Sequence, residues 1–348
     1  MRILYGSGGH LRRPVSVEGV GDFPHAGREQ ARGASPDMES DPSSGPKGVG
    51  VAADAVEEFE RHRSRLFGLA YRMLGSAEEA EDVVQEVFVR WHRASRVESP
   101  WAWLAKVATN LCVNRLTSAR MRRERYVGFW LPEPVLTADG ALGPLDRAEQ
   151  RELVSMAFLV LLERLNPMER AVFVLREAFA YSHREVAEVI DSSEANSRQL
   201  YARARKRLAE ARGGADRRAE PVARPDLMER FLAAAEHGDL ESLERVLAED
   251  VTVWVDGGGR VGVARRPILG AHRVARYLAG SFKLAGGRVR LSVSEVNGAP
   301  GLLASTGEAL IGVLVPEIVG DRIVGIRIIA NPEKLRLSHS AGLSGSLP

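Results

Sequence analysis

A single cysteine, Cys112, stands in 348 residues, which excludes an internal disulfide and leaves no cysteine set for a metal site. Long apolar runs are missing as well. No stretch of eighteen consecutive apolar residues occurs, so no membrane span is expected. The start of the chain also lacks a sustained apolar core followed by a small-residue cleavage site. Net charge is nearly absent, because 48 Lys and Arg almost balance 46 Asp and Glu to give +2. Whole-chain electrostatics therefore select no partner, and the informative quantity is local. The estimated isoelectric point of 8.8 goes with arginines gathered in two stretches, Arg115 to Arg125 and Arg198 to Arg218. These absences point to a reducing cytoplasm, with no membrane partner, no metal and no cofactor.

A chain of this length exceeds one ordinary domain, and its 45% hydrophobic content suffices for normal cores. Residues 1–53 are rich in Gly, Pro, Ser, Arg and Asp without hydrophobic period and are expected to stay disordered, with Met38 as an alternative start. Helical patterning occupies 54–127, a Pro- and Gly-bearing linker 128–144, a second helical block 145–212, and a polar linker 213–224. From 225 to 337 β-branched runs appear, notably Val251 to Val255, Arg288 to Val296 and Ile323 to Ile329, which predicts an α+β domain. A short tail, 338–348, completes the chain. The expected fold is thus two all-α blocks followed by an α+β domain.

The clearest local signal runs from Tyr181 to Leu208. Ser182 with Glu185 forms a capping box opening a short helix through Val186, Ala187 and Ile190, and Asp191 to Ser193 breaks it. In the second helix Leu200, Ala204 and Leu208 recur every four residues as an inward stripe, while Asn196, Gln199, Arg203 and Arg207 face outward. Amides can pair bidentately with adenine and guanidinium groups with guanine or phosphate, so this helix suits a DNA major groove. A solvated helical hairpin is the alternative.

In the first block, Phe59, Leu66, Ala70 and Met73 repeat at helical spacing and Gly75-Ser76 ends that helix and caps the next. There Val84, Val87, Phe88 and Trp91 make an apolar stripe, and Glu78, Asp82, Gln85 and Glu86 an acidic and amide face that reads, by itself, as solvated. Ser99-Pro100 then starts a helix whose second half is basic. Trp101, Trp103, Asn110, Asn114 and the arginines from Arg115 onward combine flat aromatics, amides and cations, as binding of separated DNA strands requires. A core role for one tryptophan is equally open.

The segment Arg65 to Trp91, RLFGLAYRMLGSAEEAEDVVQEVFVRW, resembles the second conserved region of bacterial sigma factors of the extracytoplasmic-function class. Asn166 to Leu208, NPMERAVFVLREAFAYSHREVAEVIDSSEANSRQLYARARKRL, resembles their fourth region. The resemblance implies that Asp82, Gln85 and Glu86 dock on core RNA polymerase. It implies that Asn110, Asn114, Arg115, Arg122 and Arg123 recognise and open the minus-ten element. Asn196, Arg198, Gln199, Arg203 and Arg207 would read the minus-thirty-five element, with base and phosphate contacts unassigned.

Three further strings narrow the group: WLPEP at Trp130 to Pro134, DGGGR at Asp256 to Arg260 and NPEKL at Asn331 to Leu335. In this order they resemble sigma factors carrying a fused SnoaL-like domain, a cone-like fold of a curved antiparallel sheet on helices. That resemblance implies regulatory contacts among Trp130, Leu131, Pro132, Asp256, Gly257, Gly258, Arg260, Asn331, Pro332 and Lys334. Within the domain, Trp254, Asp256, His272 and Tyr277 are the residues to inspect for a pocket holding a small-molecule ligand. No phosphate-binding lysine-serine pair follows the glycine triplet, which reads as a tight turn. No catalysis is expected, and the reading is a transcription initiation factor whose partners are core RNA polymerase and promoter DNA. A one-component regulator with a ligand-sensing domain is the alternative, and a SnoaL-type enzyme a third.

Overall fold

A computed structural model of the chain describes residues 47–94, 97–124, 126–137, 142, 148–212, 224–259, 262–284 and 288–336. The expected N-terminal extension, for the most part, and the expected tail lie outside these residues. So do Arg260, parts of both linkers and the side chains of Arg122 and Arg123.

The first block is three helices, α1 (Lys47–Leu74), α2 (Ala77–Arg93) and α3 (Pro100–Glu124). Gly75, at φ +66°, turns the chain out of α1, and the Ser76 hydroxyl accepts the Glu79 N–H at the start of α2. The second block is α4 (Ala148–Glu152), α5 (Met156–Leu162), α6 (Pro167–Phe179), α7 (His183–Val189) and α8 (Glu194–Arg212). Capping boxes at Asn166/Glu169 and Ser182/Glu185 open α6 and α7, satisfying N–H groups a helix start would leave unpaired. In α8, Leu200, Ala204 and Leu208 are buried as their spacing predicts.

The two blocks share one continuous core, in which Leu66, Met73, Val84 and Val87 of the first join Leu159, Val172, Leu175 and Ala204 of the second. Polar contacts reinforce the packing. The buried Arg170 guanidinium donates to the Met73 carbonyl at the end of α1 and to Glu163, and Lys106 of α3 pairs with Asp191 in the α7–α8 turn at 2.5 Å.

The third domain begins with α9 (Pro225–His237) and α10 (Leu240–Val246) and continues through β1 (Leu247–Asp256), β2 (Ile268–Leu269) and α11 (Ala271–Leu284). Four strands finish it, β3 (Val289–Val296), β4 (Ala299–Thr306), β5 (Ala309–Val319) and β6 (Arg322–Ile329), in the sheet order β2-β1-β6-β5-β4-β3. One feature departs from the expected antiparallel sheet: β1 and β6 run parallel. The β3–β6 meander reverses three times and returns β6 beside β1 in the same direction.

Both sheet faces are covered. Val251, Val253, Leu302, Leu314 and Ile326 pack with Phe231, Leu243, Val274 and Leu278 of the helices. On the opposite face Val313, Val315, Ile329 and Trp254 pack against Leu131 and Phe129 of the first linker and Met156 and Val160 of α5. A strand buried on both faces loses its alternation, which is why β5 reads ALIGVLVPEIV. Helix α5, MAFLVLL, is apolar all round for the same reason: Phe158 and Leu159 enter the helical core while Met156 meets the sheet.

Candidate functional site

Residues 128–137 of the first linker, expected as a connector, form an extended segment between the helical blocks and the third domain, buried from Leu131 to Val135. Leu131 is wholly buried, and Pro132, Glu133, Pro134 and Val135 are nearly so. The buried backbone needs partners there. Two polar hubs supply them.

The first hub is Asp256, fully buried at the end of β1. Its Oδ1 accepts the Tyr126 hydroxyl at 2.5 Å and the Gly258 N–H at 3.0 Å, and its Oδ2 accepts the Leu131 N–H at 2.9 Å. The Lys334 ammonium donates to Oδ2 at 2.8 Å and also to the Leu131 carbonyl. It lies 4.3 Å from the Trp130 ring centre, a cation–π placement. Asn331 donates to the Tyr126 hydroxyl at 2.9 Å. Burial, and then the Asp256 carboxylate, raise the Tyr126 phenol far above its usual range. The strings around Trp130, Asp256 and Asn331 therefore meet at one point. The glycines explain themselves here: a Cβ on Gly258, at φ +64°, would lie 2.6 Å from the Asn331 side chain.

The second hub is Asn297, fully buried in the β3–β4 turn. With Gly298 it supplies the two positive φ angles, 54° and 72°, that a tight hairpin requires. Its amide donates to the Tyr71 hydroxyl of α1 at 2.6 Å and to the Val154 carbonyl before α5 at 2.9 Å. Its Oδ1 accepts the Val135 N–H at 3.1 Å. One side chain thus ties the first block, the linker and the second block to the third domain. Beside it the Tyr71 hydroxyl donates to the Glu133 carbonyl, and the Glu133 carboxylate accepts N–H groups of Ala77 at 2.6 Å and Glu78 at 3.0 Å. The linker thereby caps α2. Burial raises the Glu133 carboxyl above its usual range, against the opposing pull of these hydrogen bonds. Thr137 closes the seam, donating to Glu295 at 2.7 Å and accepting the Gly298 N–H at 2.9 Å.

Of these residues, Tyr71, Tyr126, Glu133, Thr137 and Asn297 are absent from the sequence expectations. Asn297-Gly298 carried a readable hairpin signal, and Glu133 sits inside WLPEP. Tyr71 looks like one more apolar helix position, and nothing local marks it. Pro132 is buried in the linker, Gly257 lies buried in the turn, and Pro332 is exposed at the domain's end.

The residues expected to meet polymerase lie on α2, with Asp82 and Gln85 exposed and Glu86 half-buried. Arg115, expected in the minus-ten set, pairs with two of these residues in the structure, with Asp82 at 3.2 Å and Glu86 at 3.6 Å. Asn114 is exposed and Asn110 half-buried on α3. Trp101 and Trp103 are not open stacking platforms. Trp101 stacks on Phe179 of α6 with the Arg65 guanidinium 4.0 Å from its ring, and Trp103 packs on Trp91. On α8, Asn196, Gln199 and Arg203 are exposed, and Arg198 pairs with Glu194 of its own helix at 2.5 Å. Arg207 lies on the flank and pairs with the buried Glu169 carboxylate at 2.8 Å.

The four residues expected to mark a ligand pocket do not gather. Asp256 belongs to the first hub and Trp254 faces Phe129 on the linker side of the sheet. His272 is exposed beside Glu244, and Tyr277 is half-buried against the helical face. Alternation along β1 puts Trp254 and Asp256 on the linker side of the sheet, opposite the face of Val253 and Val255 on which Tyr277 packs.

Residues 59–122 match the Sigma-70 region 2 family and residues 155–208 the Sigma-70, region 4 family. The chain is 37% identical over 290 residues to the ECF RNA polymerase sigma factor SigJ of Mycobacterium tuberculosis, covering 80% of this chain and 92% of that protein. It is 34% identical over 279 residues to a probable ECF RNA polymerase sigma factor, SigI, of the same organism, covering 80% and 93%. The crystal structure of M. tuberculosis SigJ superposes with a TM-score of 0.63 at 32% identity, covering 80% of this chain and 98% of that one.

Proposed function

The chain belongs to the extracytoplasmic-function RNA polymerase sigma factors, and on that footing we propose that its SnoaL-like third domain acts as a clasp on the two promoter-reading blocks. As a sigma factor it binds core RNA polymerase and promoter DNA and directs transcription initiation. It works in the cytoplasm, where both are found, and among the described residues no helix is long and apolar enough to cross a membrane.

One observation carries the clasp: a fully buried carboxylate, Asp256, receives donors from the linker, from its own turn and from Lys334 after β6. Geometry supplies the consequence. Elements named minus ten and minus thirty-five lie about 25 base pairs apart, or about 85 Å of duplex. A compact body of about 150 residues has a radius of gyration of only about 15 Å. Two blocks sharing one core cannot span both elements, so engagement of the promoter requires them to part. The hubs oppose parting, and the third domain therefore biases an equilibrium between a closed, polymerase-poor state and an open, competent one. Asp82, Gln85 and Glu86 are the proposed polymerase contacts, Asn110, Asn114, Arg115, Arg122 and Arg123 the proposed minus-ten set, and α8 the minus-thirty-five reader.

The third domain acts through these contacts and not through catalysis, a reading supported by the apolar packing between sheet and helices, with Val253, Leu278 and Leu314 among its members. The test is transcription reconstituted with core polymerase, comparing the full chain with Lys334→Met and with truncations after Leu337 and after Arg224. Lys334→Met is expected to raise the affinity for core, and the two truncations to differ from one another. Identical core affinity and transcription from all four proteins would sink the clasp.

A further inference from the structure

From Gly257 to Ser294 the chain has eight Lys and Arg and no Asp or Glu, whereas Asp226 to Asp250 holds eight acids and two arginines. The fold turns this segregation into a surface. Along α11, Val274, Ala275 and Leu278 are buried, while His272, Arg273, Arg276, Gly280 and Lys283 are exposed on one arc of the helix. Arg265 and Arg266 are exposed in the segment leading to β2, and Arg290 on the edge strand β3.

Several exposed charges elsewhere in the protein are paired within their own helices, as in Arg90–Glu86, Arg198–Glu194 and Lys206–Glu210. On α11 this does not happen. Among the described residues Arg265, Arg266, Arg273, Arg276 and Lys283 enter no ion pair. The acidic groups nearest the patch lie at its border, Glu244 on His272 at 2.8 Å and Glu236 beside Arg276 and Lys283 in one groove. Unpaired like charges aligned on a packed helix repel one another, and a polyanion relieves that repulsion.

We propose that this face of α11 is a contact surface for the phosphate backbone of duplex DNA. Arg273 to Lys283 spans ten residues, about 15 Å of helix, which matches four to five base pairs of duplex. Its aromatic neighbours Tyr277 and Phe282 are half-buried, leaving no exposed ring on which unpaired bases would stack. The contact is therefore with backbone and independent of sequence. DNA is favoured over an acidic protein because the two promoter-reading blocks already hold the domain beside duplex at high effective concentration. The inference rests on the chain being a DNA-binding initiation factor but not on the clasp.

The experiment is anisotropy of a labelled 30-base-pair duplex of arbitrary sequence titrated with the full chain between about 50 and 200 mM salt, where slope reports phosphates contacted. Neutralising the face together, with Arg273→Gln, Arg276→Gln and Lys283→Gln, is expected to lower the slope by about two to three. Affinity at the upper end of the range should fall tenfold or more, with an unchanged melting temperature because all three positions are exposed. The control, Arg245→Gln on α10, should leave the slope alone. An unchanged slope in the triple variant overturns the surface. So does an unchanged slope with weakened binding to core polymerase, which would reassign the face to an acidic protein partner. A wild-type chain that binds no duplex at all would also overturn the surface, while leaving the sigma-factor function to the separate test with core polymerase.

Discussion

The Lys334 ammonium lies 2.8 Å from the Asp256 carboxylate, and the two side chains are 7% and 0% exposed. Such a pair is costly to break from one side, because the surviving charge stays buried without compensation. Lys334→Met is expected to weaken the closure of the linker on the third domain by about 3–5 kcal/mol. The double variant with Asp256→Asn should lose less than the two single effects combined. Hydrogen exchange across Tyr126 to Thr137 reads the opening directly, and protection equal to wild type would contradict it.

Two glycines separate conformation from packing. Gly258 and Gly238 have φ near +64° and +66°, but a Cβ on Gly258 meets Asn331 at 2.6 Å and one on Gly238 meets nothing within 4 Å. Gly238→Ala should cost only the left-handed penalty, about 1–2 kcal/mol. Gly258→Ala should cost more and also detach Asn331 from Tyr126. Equal losses in urea unfolding would mean that the DGGGR turn is set by backbone angle alone.

At Asn297 the amide and the backbone make separable contributions. Asn297→Ala leaves the Val154 carbonyl and Val135 N–H short of partners and forces alanine to positive φ. Asn297→Gly loses the same hydrogen bonds but keeps the turn. Each buried group left unpaired costs about 1–3 kcal/mol, so both variants are destabilised, with glycine the milder by about 1–2 kcal/mol. Asn297→Asp should be no better than alanine at the hub, since a carboxylate offers Val154 no donor. The order of urea midpoints tests the assignment.

Glu133 makes the junction pH-dependent. Its folded-state carboxyl titrates above its ordinary value of 4.5, with burial the main cause. The folded chain then binds a proton more tightly than the unfolded chain does. This contribution is complete below about 4.5 and is lost as pH rises through the elevated folded value. Other groups titrate in the same range, so the informative quantity is the difference between wild type and Glu133→Gln. The wild-type melting temperature should decline relative to the variant as pH rises across that window, and parallel curves would remove Glu133 from the account.

Within α8, Leu200→Ala removes a buried anchor and should cost about 2–5 kcal/mol of stability. Arg203→Gln, on the exposed side, should leave the melting temperature unchanged and weaken promoter binding. A variant pair with these effects exchanged would invert the assigned faces.

Much of this was legible locally. The capping box of Ser182 and Glu185, the four-residue stripe of Leu200, Ala204 and Leu208, and the β-branched runs of β1, β3 and β6 follow from short-range geometry, which sequence period records directly. The charge segregation between Asp226 and Ser294 is likewise plain in the chain, though its meaning depends on which α11 positions are buried. The β5 run without alternation and the all-apolar α5 announced a second covered face without naming its cover. The sequence by itself determined the helical blocks, the α+β domain and the strings that meet at the junction. Only the tertiary structure decided that Asp256 is a hub and not a pocket residue, that Trp101 lies under Phe179, and that Asn297 reaches Tyr71 across 226 residues. Those pairings have no period to carry them, because they are set by which surfaces remain apolar after local structure forms and by where each buried donor then finds an acceptor.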